Sequence, residues 1–274
     1  MISWPFDRGL PDVGMGAGAA LLARDPELHA ALEGAGWAPT VQRVTAADPE
    51  APEIARTFDV LRQLASDVRA AVARGAFPLV LAGGCLSASA TVAGSGAAGI
   101  VWLDAHADLD TPEDNRSGFL DVMALSVLTG GCWGALRDTI PGFRAIAEPD
   151  VALLGVRDLA PYQAEQVARA ATRTASGGFD AAAARGAIAT LPVPLYLHID
   201  LDVLDTSVGR ANHYAAPRGP SLETVLATID AAFDHGRVAA AALSAYDPTA
   251  DTDGAILAAS REIARRIAMR AREG

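Results

Sequence analysis

The chain has 274 residues, of which 51% are hydrophobic and 20% charged, a balance typical of a globular domain and not of a disordered chain. Its net charge of −11 argues against a general surface for nucleic acid or anionic membrane, and its two cysteines are too few for a disulfide framework. The first segment lacks the layout of a signal peptide and no apolar run has the length of a membrane span, so we expect a cytoplasmic protein.

Short apolar runs and longer helical patterns alternate along the chain. The runs show no apolar–polar alternation, which favours strands buried on both faces of a parallel sheet, although the alanine-rich last run is equally compatible with a helix. These elements predict one α/β domain over residues 1–274 with a mainly parallel sheet. The predicted strands are Pro78–Ala82, Gly99–Leu103, Val151–Gly155, Pro194–Ile199 and Val238–Ser244. The predicted helices are Ala51–Arg74, Ser117–Thr129 (with Ser117 as its cap), Leu222–His235 and Ile256–Arg272.

Acidic side chains follow two of the predicted strands directly. The second strand is followed by Asp104, His106 and Asp108, and the fourth by Asp200 and Asp202. In open α/β sheets ligands bind beyond the carboxyl ends of the strands, so these groups should meet at one edge. If the chain stays extended, the two-residue spacing turns Asp104, His106 and Asp108 to the same side. We therefore expect four carboxylates and one imidazole to converge.

Such a cluster would repel itself strongly without cations. Two divalent ions would neutralise it, and a mixture of carboxylate and imidazole ligands suits manganese, with zinc and iron harder to exclude. Two ions about 3.5–4 Å apart can also lower the pKa of a shared water. Either motif alone has the alternative interpretation of a surface loop, but two such motifs, each directly behind an apolar strand, favour a metal site.

The two motifs resemble metal-binding signatures of the ureohydrolase family, which includes arginase, agmatinase and formimidoylglutamase. The matching segments are WLDAHADLDTP (102–112) and HIDLDVLD (198–205), and DVGMGAGA (12–19) and GVRD (155–158) are similar to further family segments. The resemblance implies a three-layer α/β/α fold of the arginase/deacetylase type and a homo-oligomer. It also implies two manganese ions per chain and hydrolysis of a guanidino or amidino C–N bond. The metal ligands that it implies are Asp104, His106, Asp108, Asp200 and Asp202.

Cys85 is the first of three departures from the family pattern. Alignment of the downstream TVAG places it on a ligand histidine of the family's first signature. A thiolate is a softer but competent ligand; the other interpretation is a small buried apolar residue at a site that has lost a ligand. A branch of the family that hydrolyses hydroxyarginine carries a cysteine here, and this sequence resembles it in that respect.

The second departure is Asp121, which stands where the family has a proton-shuttling histidine. It would need burial or nearby anions to act as an acid at neutral pH, and the alternative is a carboxylate favoured by a helix dipole. The third is Ala245, in place of a glutamate that grips the guanidinium in arginase-type members. This departure favours a hydroxyguanidine or an amidine over free arginine as the substrate.

Four more residues are predicted to contact the substrate. Asn212 and His213 lie in the loop after the second aspartate motif, and Tyr246 and Asp247 follow the fifth strand. The predicted activity is hydrolysis of a small amidino or guanidino compound, such as an N-hydroxyarginine-like amino acid, with Asp121 and Asp108 in catalysis. The alternatives are a formimino- or amide-type hydrolase of the same fold, and a catalytically silent binding protein.

Overall fold

The computed structural model describes residues 1–45, 48 and 50–273, which form ten strands and ten α-helices. The strands are β1 (Ile2–Trp4), β2 (Phe6–Asp7), β3 (Leu10–Pro11), β4 (Gln42–Arg43), β5 (Leu79–Ala82), β6 (Gly99–Leu103), β7 (Val151–Leu154), β8 (Arg173–Ala175), β9 (Leu195–Asp200) and β10 (Val238–Ser244). The helices are α1 (Gly14–Arg24), α2 (Pro26–Gly34), α3 (Glu53–Ala73), α4 (Ser87–Ser95), α5 (Ala124–Thr129), α6 (Gly134–Arg137), α7 (Pro161–Arg169), α8 (Ala181–Ile188), α9 (Leu222–His235) and α10 (Ala255–Glu273).

Eight strands form one sheet in the order β4-β1-β5-β10-β9-β6-β7-β8, and every pair in it is parallel. Strands β2 and β3 form a separate antiparallel hairpin. Alternate residues of β6 face opposite sides of the sheet: Ile100 and Trp102 join one apolar cluster, while Val101 and Leu103 join another. Helices α3, α4 and α5 cover the first side and α2, α8, α9 and α10 the second, so the predicted three-layer α/β/α fold is confirmed.

All five predicted strands are present within a residue of their predicted ends, and the alanine-rich run is a strand. The predicted helix Ser117–Thr129 is wrong in its first half. There the Asn115 side chain accepts hydrogen bonds from the backbone N–H groups of Ser117 and Gly118, and this turn replaces the helical start. A short 3₁₀ turn at Asp121–Met123 precedes α5, which ends at Gly130 in the left-handed conformation. No helix in the described ranges is long and apolar enough to cross a bilayer.

The register of the central strands brings their carboxyl ends level. Ser244, the last residue of β10, is paired with Ala82 of β5 and with Asp200 of β9. Leu103, at the end of β6, is paired with Ile199. The residues that follow β5, β6 and β9 therefore emerge together at one edge of the sheet, as the strand pattern predicts.

The glycine-rich segment of α1 lets this helix approach the same edge closely. A Cβ atom on Gly18 would overlap the carbonyl oxygen of Tyr246, which lies just after β10. Gly18 is buried, so neither backbone has room to move aside. The absence of a side chain at this position is thus a packing requirement that fixes α1 against the loop carrying Ala245.

We expect Gly18→Ala to lower the free energy of unfolding by about 2 kcal/mol, since overpacking a rigid contact costs about 1–3 kcal/mol. Urea unfolding followed by circular dichroism measures the change. Gly186→Ala is the matched control, because Gly186 is an exposed helical glycine with open space around it. That control should be neutral or slightly stabilising. Equal unfolding midpoints for the two variants would contradict the packing argument.

Candidate functional site

A cavity of about 320 Å³ opens at the carboxyl edge of the sheet. It is strongly acidic, since seven aspartates line it: Asp104, Asp108, Asp110, Asp121, Asp158, Asp200 and Asp202. Cys85, His106, Asn212 and Ala245 also line it, so most of the residues that the sequence singles out do meet at one place.

Asp104 and His106 follow β6 and are held by local hydrogen bonds. Asp104 accepts from the His106 backbone N–H at 2.8 Å and from the Trp102 indole N–H at 3.0 Å. His106 Nδ1 lies 3.3 Å from Asp104 Oδ1 and 3.4 Å from Asp202 Oδ2. The imidazole therefore sits between carboxylates supplied by two adjacent strands.

Asp108 reaches the cavity in a way that the sequence did not indicate. The chain bends after β6 and does not stay extended, and Asp108 has a φ of 52°. Its backbone carbonyl accepts the N–H of Ser126 at 3.0 Å, which fixes this turn. The expectation of an extended Asp104–Asp108 segment is therefore wrong, although all three predicted side chains line the cavity.

Asp200 and Asp202, at the end of β9, share a compact network. Asp200 Oδ1 accepts the Asp202 backbone N–H at 2.9 Å. Asp202 Oδ1 accepts the backbone N–H of Ala105 at 3.3 Å, and its Oδ2 accepts the Asn212 side-chain amide at 3.1 Å. These contacts fix the direction of Asp202 toward the residues after β6.

Cys85 follows β5 and is fully buried beside the aspartates. Its thiol donates to Asp200 Oδ2 at 3.0 Å and lies 4.0 Å from Asp104 Oδ2. Ser244 Oγ is also 3.6 Å from the sulfur. The sulfur is thus surrounded by polar ligand atoms rather than by a purely apolar pocket.

Burial is the largest unfavourable influence on the carboxylates of this cluster, and repulsion between neighbouring carboxylates adds to it. Asp202 is the exception, because attraction to His106 and its hydrogen bonds lower its pKa despite burial. Burial raises the pKa of Asp200, and the neighbouring Asp202 and Asp104 raise it further. Burial likewise raises the pKa of Asp108 and Asp104. Burial alone would lower the pKa of His106, but attraction to Asp202 and Asp104 outweighs it and the net pKa is raised. The cluster therefore favours added positive charge.

Asp121 is partly buried at the cavity wall and accepts two backbone hydrogen bonds. Its oxygens take the N–H of Cys85 at 2.8 Å and of Leu86 at 2.9 Å, just before α4 begins. Burial raises its pKa to about 7, although these two hydrogen bonds pull the pKa down. The burial and nearby anions that an acidic role requires are both present.

Asn212 lines the cavity, but the other three predicted substrate contacts do not. The Asn212 amide is engaged by Asp202 and by the carbonyl of Ala245, so it positions Asp202. His213 points outward with a side chain that is 72% exposed. Tyr246 is buried and donates to Asp251 at 3.0 Å, and Asp247 accepts from Thr249. Tyr246 and Asp247 therefore do not line the cavity, although they follow β10 directly in the sequence.

Sequence reasoning missed several lining residues that come from distant loops. Tyr162 and Gln163, at the start of α7, each donate to Asp110 at 2.9 Å. Phe119 and Tyr214 stack with ring centroids 5.9 Å apart, and Arg8 lies over Phe119. None of these residues belongs to a spaced motif, so only the folded chain brings them together.

The described residues contain two groups whose possible ligand atoms all lie within 4.8 Å of one another inside the group. The first is Cys85, Asp104 and His198, and the second is Asp104, His106 and Asp202. Asp104 belongs to both groups. His198 is already engaged, since Tyr196 and Ser244 contact its two ring nitrogens at 2.9 and 3.3 Å. A mixed set of carboxylate and imidazole ligands, with carboxylates that repel one another when bare, fits divalent cations of the manganese type.

Comparisons with known proteins give one consistent result. The arginase family profile matches residues 2–270. An arginase from Bacillus caldovelox is 32% identical over 173 residues, which cover 58% of this chain and 58% of that protein. The N(omega)-hydroxy-L-arginine amidinohydrolase of Streptomyces lavendulae is 34% identical over 121 residues, covering 44% of this chain and 41% of the relative. Both alignments thus span less than two thirds of the relative.

A solved structure provides the fold comparison. The crystal structure of arginase from Bacillus subtilis superposes with a TM-score of 0.83 at 21% sequence identity. The superposition covers 97% of this chain and 96% of the other, so the whole architecture is shared.

We expect manganese to raise the thermal unfolding temperature of chelator-treated protein, because cations relieve the carboxylate repulsion in the folded state alone. At a free concentration of 100 times Kd the gain is about 2.7 kcal/mol. Differential scanning calorimetry measures it. Asp202→Asn should lose most of the shift, whereas Asp138→Asn, on the surface beside Arg137, should keep it. An identical shift in both variants would contradict binding in the cavity.

Proposed function

This chain belongs to the arginase family, and we propose that it hydrolyses a C–N bond of a small guanidino or amidino compound. The observation that carries the proposal is the acidic cavity beyond β5, β6 and β9. There Asp104, His106 and Asp202 offer ligand atoms within 4.8 Å of one another. A cavity of about 320 Å³ has the volume for a substrate of amino-acid size.

We assign two divalent ions, most simply manganese, as the cofactors. When bound, they supply Lewis acidity that favours ionisation of water and stabilises negative charge formed during attack on the substrate carbon. The chain's part is to hold the ligands: Asn212 and the Ala105 N–H orient Asp202, and the Trp102 indole orients Asp104. The proposed ligands are Cys85, Asp104, His106, Asp108, Asp200 and Asp202.

Cys85 sets the charge of this centre. As a thiolate, with the four aspartates, it makes five negative charges against four positive charges from two divalent ions. Its contact with Asp200 at 3.0 Å supports a position among the ligands. The excess negative charge weakens the Lewis acidity of the ions, so the nucleophile should form at higher pH than with a neutral histidine at this position.

Asp121 is the proposed proton carrier. With a pKa of about 7 it is half protonated near neutral pH, so it can both take and give a proton there. The backbone N–H groups of Cys85 and Leu86 hold its carboxyl group in one orientation at the cavity wall. The leaving amine would take its proton from this carboxyl group.

The preferred substrate is a modified guanidine of the N-hydroxyarginine type. Ala245 lines the cavity and offers no carboxylate to grip a strongly basic guanidinium. The N(omega)-hydroxy-L-arginine amidinohydrolase of Streptomyces lavendulae, 34% identical over 121 residues, is compatible with this choice, although arginases match at similar identity. An amidine or formimino compound is the nearest chemical alternative.

We expect the manganese-loaded protein to hold two ions per chain and to release urea or hydroxyurea from arginine, N-hydroxyarginine or 4-guanidinobutanoate. Metal analysis and separate assays of urea, hydroxyurea and ammonia measure this. Asp121→Asn should lower kcat about 100-fold or more, because general acid–base catalysis contributes about 10²–10⁴-fold. Ammonia alone would point to the amidine or formimino class. Absence of metal and of any product would support the silent binding protein.

We expect Cys85→His to move the acidic limb of the pH–rate profile to lower pH by about one unit. Removing one negative charge beside the ions makes water ionise more easily, and a nearby charge shifts a pKa by about this amount. Cys132→Ser is the control, since that cysteine lies outside the cavity lining. An unmoved acidic limb, with manganese content unchanged, would contradict the charge argument.

A further inference from the structure

Arg8 occupies the turn of the β2–β3 hairpin and lines the cavity. Asp7 pairs with Leu10, so Arg8 and Gly9 alone form the turn, with φ values of 50° and 70°. A two-residue turn with both φ values positive favours Asn, Asp or Gly, and arginine there is strained. A strained residue that lines a cavity points to a function that outweighs its cost to stability.

The environment of Arg8 leaves its N–H groups open to a ligand. The guanidinium carbon lies 4.8 Å from the centroid of the Phe119 ring, which itself stacks on Tyr214. Within the described part of the chain Arg8 forms no hydrogen bond and no ion pair at contact distance. Stacking on an aromatic face holds a guanidinium in place while its edge remains available.

Arg8 is a positive charge in a cavity wall that is otherwise mostly acidic. Seven aspartates line the cavity, and Arg8 is the one arginine among its described lining residues. A substrate anion would be repelled by most of this wall and attracted at Arg8.

We propose that Arg8 binds a carboxylate at the far end of the substrate. The substrate class is then a guanidino or amidino acid whose two ends carry opposite charge. This inference rests on the proposed function and makes Arg8 a specificity-determining residue rather than part of the hydrolytic machinery. The strained turn holds the guanidinium, which stays solvent-exposed, over Phe119 at the cavity wall.

The test compares 4-guanidinobutanoate with 4-guanidinobutan-1-ol, which lacks the carboxylate. Calorimetry measures Kd for both probes on the full-length, manganese-loaded protein, and turnover measures KM and kcat for whichever is hydrolysed. Arg8→Gln should weaken binding of the acid about tenfold, the effect of losing one charge-assisted pair, and leave the alcohol unchanged. KM should follow Kd, while kcat stays within about twofold.

Arg116→Gln is the matched control, because Arg116 also lies over an aromatic ring, that of Tyr162, but does not line the cavity. Equal loss in both variants, or equal Kd of the two probes on the unmodified protein, would overturn the proposal. Arg8→Gly should raise the midpoint of urea unfolding while removing the preference for the acid, as relief of turn strain predicts. If the protein binds the acid more tightly than the alcohol but hydrolyses neither, the result would support the role of Arg8 and count against the proposed hydrolase activity.

Discussion

The repulsion among buried carboxylates is the constraint on which the site depends. Asp104 and Asp200 are almost fully buried at the ends of adjacent strands; burial raises the pKa of both carboxyl groups, and Asp104 raises the pKa of Asp200 further. Burial of several like charges is unfavourable unless opposite charge compensates it. Hydrogen bonds from backbone N–H groups offset only part of this cost. Because negative charge remains uncompensated, the cavity favours the binding of cations.

The sheet makes this concentration of charge possible. Parallel strands with level carboxyl ends deliver their following residues to one place, while apolar residues above and below keep those strands rigid. Arg157 reinforces the edge from one side, donating to the backbone carbonyls of Asp202 and Leu204 at 3.0 and 3.3 Å. Burial lowers the pKa of the Arg157 guanidinium, and the nearby aspartates counteract this by raising it. The rigid sheet thus keeps the carboxylates close together although they do not attract one another.

Sequence patterns predicted the buried centre of the fold better than its borders. Continuous apolar runs identified β6 and β9, because a strand that is buried on both faces carries mainly apolar residues along its whole length. The edge strands β4 and β8 are two and three residues long and carry no such run. In the site, the two aspartate motifs were visible because each follows a strand directly. Arg8 comes from a hairpin turn and Tyr162 from the start of α7, and only tertiary packing brings them to the cavity.

Cys85 and Asp121, the two positions at which we expect the chain to depart from the family's histidines, are joined physically. Asp121 accepts the backbone N–H of Cys85, and the Cys85 thiol donates to Asp200. Asp121 also contributes to the raised pKa of the thiol, after burial and the effects of Asp200 and Asp108. An exchange at either position therefore changes the charge and the orientation of the other. Cys85 and Asp121 therefore form one connected pair just before α4, where the backbone N–H groups of Cys85 and Leu86 stabilise the Asp121 carboxylate.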